Sequence, residues 1–180
     1  MTDSSLVIVL KNQKSDSYID PAFAPEIGSQ IIAILYGDEV DIPVKSIAKH
    51  IASRIGKEGV DSAIAEYKRI KRTDFANYSF KESELNRLGI ELYFKFKMAD
   101  EALKIFELNM QEFPNSYNTY DSYAFILREK GDYPNSILYY MKGLEILKEY
   151  PENNDLNAVK KDADQALIYI KEMKEKIKDN

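Results

Sequence analysis

The chain has a single histidine, His50, and no cysteine, so the residue types that most often carry catalysis or hold a metal are nearly absent. One imidazole cannot make a two-histidine metal site, and without thiols there is neither a disulfide nor a thiolate ligand. On its expected helix His50 lies away from the stripe Ile47, Ile51 and Ile55, which predicts a surface or rim histidine and not a catalytic base. Asp16 and Asp20 stand at the first and fifth positions of a possible calcium loop. Pro21 falls where the glycine belongs and Ile27 where the glutamate belongs, so the segment reads as a solvated loop. The seven glycines are scattered, with no G-x-G cluster to cradle a phosphate. From Lys171 to Lys178 lysines alternate with glutamates, the pattern of a solvated helix face and not of a membrane or nucleic-acid patch. The expectation is therefore no catalytic residue, no metal and no cofactor.

The elements around these residues read as a helical protein. With 180 residues, 44% hydrophobic and 31% charged, the chain can bury a core. Its net charge of −5 supplies no basic field for a nucleic-acid backbone. The apolar run Leu6 to Leu10 follows acidic Asp3 and is too short for a signal peptide or a membrane span, which predicts a soluble chain carrying no address. That run has strand character; Lys11 to Ala24 reads as loop, and Ile27 to Tyr36 as a short helix stopped by Gly37. A lone strand leaves unpaired N–H and C=O groups on both edges, so Leu6 to Leu10 is expected to pair with something else, self-association among the options.

Beyond Asp41 the pattern is helical throughout. Asp41 is the expected N-cap, with Pro43 in the first turn and Val44, Ile47, Ala48, Ile51 and Ile55 as one apolar stripe running to Gly56. Val60 starts a second helix through Ala63, Ile64, Tyr67 and Ile70, and the polar stretch Arg72 to Lys81 is expected as loop. Hairpins over about Glu82 to Phe113 and Ser116 to Tyr150 follow, the latter turning at Lys130-Gly131-Asp132 with Pro134 in the next first turn. Asn154 or Asp155 caps a final helix with the stripe Val159, Ala163, Ala166, Leu167, Ile170, Met173 and Ile177.

Two of these hairpins superimpose in sequence. Leu85, Leu88, Gly89 and Leu92 precede Ala102 and Phe106, as Tyr120, Tyr123, Ala124 and Leu127 precede Ser136 and Tyr140; Ala102 to Ser136 and Phe106 to Tyr140 are both 34 positions. That period, with a small residue at each helix crossing, marks tetratricopeptide-like hairpins. The predicted fold is all-α: a tetratricopeptide-like array over residues 41–180 with a C-terminal capping helix, preceded by an N-terminal strand and helix over residues 1–40. Such arrays bind proteins or peptides. The exposed side of each first helix is expected to carry the partner-binding residues Asn86, Ile90, Tyr93 and Phe94 in one copy and Asp121, Phe125, Arg128 and Glu129 in the next.

The segments Leu85-Asn-Arg-Leu-Gly-Ile-Glu-Leu, Glu101-Ala-Leu-Lys-Ile-Phe, Phe113-Pro-Asn-Ser, Tyr120-Asp-Ser-Tyr-Ala and Lys130-Gly-Asp-Tyr resemble the repeat region at the C-terminal end of bacterial β-lactamase-related serine hydrolases. By the same resemblance, Leu6 to Leu10, Ile27 to Gly37 and Ile42-Pro43 correspond to the closing strand and helix of the hydrolase domain and its linker. The resemblance implies an accessory tail whose catalytic part is absent. In that family a Ser-x-x-Lys nucleophile motif works with Tyr-x-Asn and Lys- or His-x-Gly elements. Ser46-Ile-Ala-Lys49, Tyr133-Pro-Asn135 and Lys57-Glu-Gly59 match in letters, but their places in helices and interhelical turns make them chance matches.

Overall fold

The structure, a computed structural model, describes residues 44–178. The expected strand Leu6 to Leu10, the helix Ile27 to Tyr36, the calcium-loop candidates Asp16 and Asp20, and the cap at Asp41 with Pro43 lie outside the described residues.

Seven helices form in the described residues, packed as sequential antiparallel pairs. The first pair is α1 (Ile47–Glu58) and α2 (Val60–Thr73), the second α3 (Glu82–Phe94) and α4 (Ala99–Glu112), the third α5 (Tyr117–Glu129) and α6 (Tyr133–Glu149); α7 (Leu156–Lys178) packs on α6 and α5. The densest packing is within pairs, and the pairs then stack, with α1 on α3, α2 on α4, α3 and α4 on α5, and α5 on α7. The first helices of successive pairs are thus neighbours, the arrangement that the 34-residue spacing predicts.

The first helix corrects the sequence reading. It begins at Ile47, with Ser46 as N-cap accepting the Lys49 N–H at 3.1 Å, and Val44 lies exposed ahead of it. It also runs past Gly56 to Glu58, because Gly59 at φ 85° adopts the left-handed conformation that ends a helix cheaply and returns its N–H to the Ile55 carbonyl. The stretch Arg72 to Lys81 is not all loop. Helix α2 continues to Thr73, a 3-10 turn spans Phe75–Asn77, and β2 (Tyr78–Ser79) pairs in parallel with β1 (Lys45–Ser46), Lys45 opposite Tyr78. A two-residue strand is too short to show alternation, which is why periodicity missed it.

The small residues expected at the helix crossings are buried. Ala63, Ala102, Ala124 and Ser136 are all fully buried, and the Ser136 hydroxyl donates to the Ala124 carbonyl at 2.8 Å, joining α6 to α5. Leu85, Leu88, Leu92 and Phe106 fill the seam of the second pair. In the third pair Tyr140 is buried, but Tyr120 and Tyr123 are only half-buried; the large core residue there is Tyr117, whose ring is held by a hydroxyl bond to Asp121 at 2.8 Å. The α3–α4 turn does without glycine: Lys97 takes φ 59°, and Met98 returns its N–H to the Leu92 carbonyl.

The end of the array is tied by side chains. Asp155 caps α7, accepting the N–H groups of Asn157 and Ala158. Asn154 instead braces two elements, accepting the Tyr117 N–H at 2.8 Å and donating to the Tyr150 and Asn115 carbonyls. Of the expected α7 stripe, Ala163, Ala166, Ile170 and Met173 are buried, whereas Leu167 and Ile177 are exposed, because α7 leans on α5 and α6 with a narrow arc of its surface.

Candidate protein-interaction face

Helices α3, α5 and α7 lie side by side, and the residues their neighbours leave uncovered form one face. On α3, Ile90 and Phe94 are exposed, at 42% and 50%. Tyr93 is half-buried and meets Phe94 edge-on at 4.9 Å between ring centroids. Phe94 in turn lies 6.0 Å from Phe125 of α5. The Arg128 guanidinium sits 5.2 Å over the Phe125 ring and 3.6 Å over the ring of Tyr169 on α7. A continuous run of π-faces with one cation therefore crosses three helices, and its aromatic rings make contact area at little entropic cost.

The polar members of the set are more buried than the sequence suggests. Asn86 is half-buried, and its Oδ1 is shielded from water with no hydrogen-bond partner among the described residues. Asp121 is largely enclosed. Burial, with a further push from the Asp162 charge, raises its carboxyl to a pKa of about 6, against the opposing pull of the Tyr117 hydroxyl and Arg128. Glu129 is taken up by Arg128, which donates to it at 2.8 Å. The structure brings Tyr93, Phe94, Phe125 and Arg128 into one chain of contacts. Ile90 stands exposed on the same helix, and Asp121 accepts the hydroxyl of Tyr117 one turn before it on α5.

Tyr169 is the member that sequence reading missed. It lies off the apolar stripe of α7, and only its place over Arg128 reveals it. The sequence carries a signal for it only if α7 is treated as a further first helix and not as a terminal cap.

His50 is exposed, as expected, but not isolated. Its Nε2 lies 3.2 Å from Glu66 Oε1, and Tyr78 meets it at Nδ1 and edge-on at 5.5 Å. Glu66 also accepts two bonds from Arg69 and lies 3.4 Å from Arg54; the Arg69 bonds above all, with His50 and Arg54, hold its carboxyl down to about 2. A carboxylate so committed to cations is a brace between α1 and α2 and a poor proton acceptor. The three letter matches to hydrolase motifs serve local structure. Ser46 caps α1 and donates its hydroxyl to Glu84, Asn135 is held by the Asp132 cap of α6, and Lys57 lies in the last turn of α1. Among the described residues no cluster of three or more metal-binding side chains occurs, and no helix is long and apolar enough to cross a membrane. Two shallow grooves, one between α2 and α4 lined by Asp61, Lys68 and Lys104 and one between α1 and α3 lined by Ala48, Arg87 and Glu91, lie open to solvent.

No protein-family model matches this chain. Nor does any curated protein match it.

Proposed function

We propose that residues 44–178 are a tetratricopeptide-like array that serves as a non-catalytic protein-interaction module, binding an extended peptide or a partner loop along the face of α3, α5 and α7. The observation that carries this reading is the aromatic run from Tyr93 through Phe94 and Phe125 to Arg128 and Tyr169. Its exposed end at Ile90 and Phe94 supplies apolar area for a docked segment. Matched burial of Ala102 with Ser136 and of Phe106 with Tyr140 supports the repeat assignment. The alternative, which rests on the resemblance of segments on α3, α4, α5 and the α5–α6 turn, is an accessory C-terminal domain of a β-lactamase-related serine hydrolase that supports its catalytic domain.

Panning a library of random extended peptides against the whole chain tests the reading. Enriched peptides are expected to bind the native chain and to lose at least tenfold in affinity on Phe94→Ala or Arg128→Glu, with helical circular dichroism unchanged. An absence of enriched binders, or binders indifferent to both substitutions, overturns it.

A further inference from the structure

Helix α7 turns a second side to solvent, away from the arc of Ala163, Ala166, Ile170 and Met173 that packs on the array and away from Tyr169. Along it Asn157, Lys161, Asp164, Ile168, Lys171, Glu175 and Lys178 recur at alternating steps of four and three, all exposed, with Lys160 and Leu167 beside them. Leu167 and Ile168, exposed at 56% and 50%, form the apolar centre of this stripe.

Four charges on this side, Lys160, Asp164, Lys171 and Glu175, are arranged symmetrically about that apolar centre, although the same symmetry sets Lys161 against Lys174. Laid antiparallel on itself with a two-fold axis between positions 167 and 168, the helix sets Leu167 against Ile168 of the second copy, Asp164 against Lys171, and Lys160 against Glu175. Each contact occurs twice, as an isologous interface requires. Parallel pairing would instead set Asp164 against Asp164 and Lys171 against Lys171, which opposes it. Among the described residues none of Lys160, Asp164, Lys171 and Glu175 makes an ion pair within the chain, so all four are available.

The geometry points to this side of α7 as a homodimer interface, in which a second copy of the chain docks its own α7 antiparallel about Leu167 and Ile168. The surface is separate from the aromatic face, so a dimer leaves both peptide faces open and doubles the valency of the module. A single helix pair lies at the small end of specific interfaces, and the dimer is correspondingly weak and salt-sensitive.

Sedimentation equilibrium of the full chain across a wide concentration range tests the proposal. The native chain is expected to show a monomer–dimer equilibrium. Asp164→Lys alone and Lys171→Asp alone should each weaken it about tenfold, since each sets two like-charged pairs face to face. An equimolar mixture of the two variants should recover the dimer, because every pair across the mixed interface is again lysine against aspartate. Damage to folding within one chain cannot be repaired by mixing, so recovery identifies the interface. A chain that stays monomeric throughout overturns the proposal, as does a dimer that ignores both substitutions. A dimer lost on Ile8→Lys but kept by the α7 variants assigns association to the N-terminal apolar run instead, and equally overturns it.

Discussion

Gly89 of α3 lies so close under the ring of Phe106 on α4 that a Cβ placed on it would fall 2.6 Å from the ring's Cζ. Glycine here is a spacing device within a helix. Alanine would gain about 1 kcal/mol of helix propensity. Overpacking a buried ring costs about 1–3 kcal/mol, however, and Phe106 is itself buried. Gly89→Ala is therefore expected to lower the urea midpoint, and Gly89→Ala combined with Phe106→Leu to recover part of the loss. Equal stability of Gly89→Ala and the native chain would show that the two helices can separate freely.

Asp121 makes stability fall as pH rises. Its carboxyl titrates at about 6 in the fold, mainly because it is buried, and near 3.8 in the unfolded chain. An acid with a raised folded value is favoured neutral, so its contribution is fully present below about pH 4 and is lost as pH climbs through about 6. A shift of about two units bounds the effect at about 3 kcal/mol. Asp121→Asn should flatten this part of the stability profile and stabilise the chain most at pH 8. A native profile that rises between pH 4 and 7 and is unchanged in Asp121→Asn contradicts the environment described here.

Asn109 on α4 is fully buried, and neither its Oδ1 nor its Nδ2 has a hydrogen-bond partner among the described residues. An unpaired buried amide costs about 1–3 kcal/mol, and leucine has nearly the same shape without that cost. Asn109→Leu should raise the unfolding free energy by about 1 kcal/mol. A loss of similar size would reveal a partner for the amide, and with it a reason for asparagine at this position.

What the sequence reveals follows from the reach of each signal. Ala102 and Ser136, or Phe106 and Tyr140, are legible because burial recurs at a fixed interval and each hairpin repeats the same packing problem. The turn at Gly131-Asp132 is legible because its chemistry is local: Gly131 at φ 81° and Asp132 capping Asn135. Tyr78 pairing beside Lys45 and Tyr169 stacking on Arg128 are not, since both join residues more than 30 positions apart and neither leaves a periodic trace. Asp121 reads as outward-facing because helical phase places it beside Phe125; in the fold it takes the hydroxyl of Tyr117 one turn earlier on α5, and the Asp162 charge of α7, which no pattern within α5 encodes, acts on it as well.

Arg128 couples the candidate face to the stability of the array. With Phe125 below it and Tyr169 only 3.6 Å from its guanidinium, it is the one cation in the aromatic run. Cation–π contacts contribute about 0.5–2 kcal/mol according to their desolvation. Arg128→Ala should lower stability by about 1 kcal/mol, and the same substitution in a Tyr169→Leu background should cost markedly less. Arg128→Lys should recover little, because an ammonium lacks the planar group that stacks. A double-mutant cycle with no coupling between positions 128 and 169 removes the contact.

Ser46 separates structural from catalytic use of the Ser-x-x-Lys letters. Its hydroxyl accepts the Lys49 N–H and donates to Glu84, so it fixes the start of α1 against α3. On this account Ser46→Ala costs about 1 kcal/mol of stability through the lost cap, and Ser46→Thr, which keeps the hydroxyl, restores most of it. The chain should hydrolyse neither a chromogenic cephalosporin nor a nitrophenyl ester faster than buffer, and Ser46→Ala should leave that background where it was. Turnover above buffer that vanishes in Ser46→Ala but survives in an equally destabilised variant such as Gly89→Ala would make Ser46 a nucleophile and the module an enzyme.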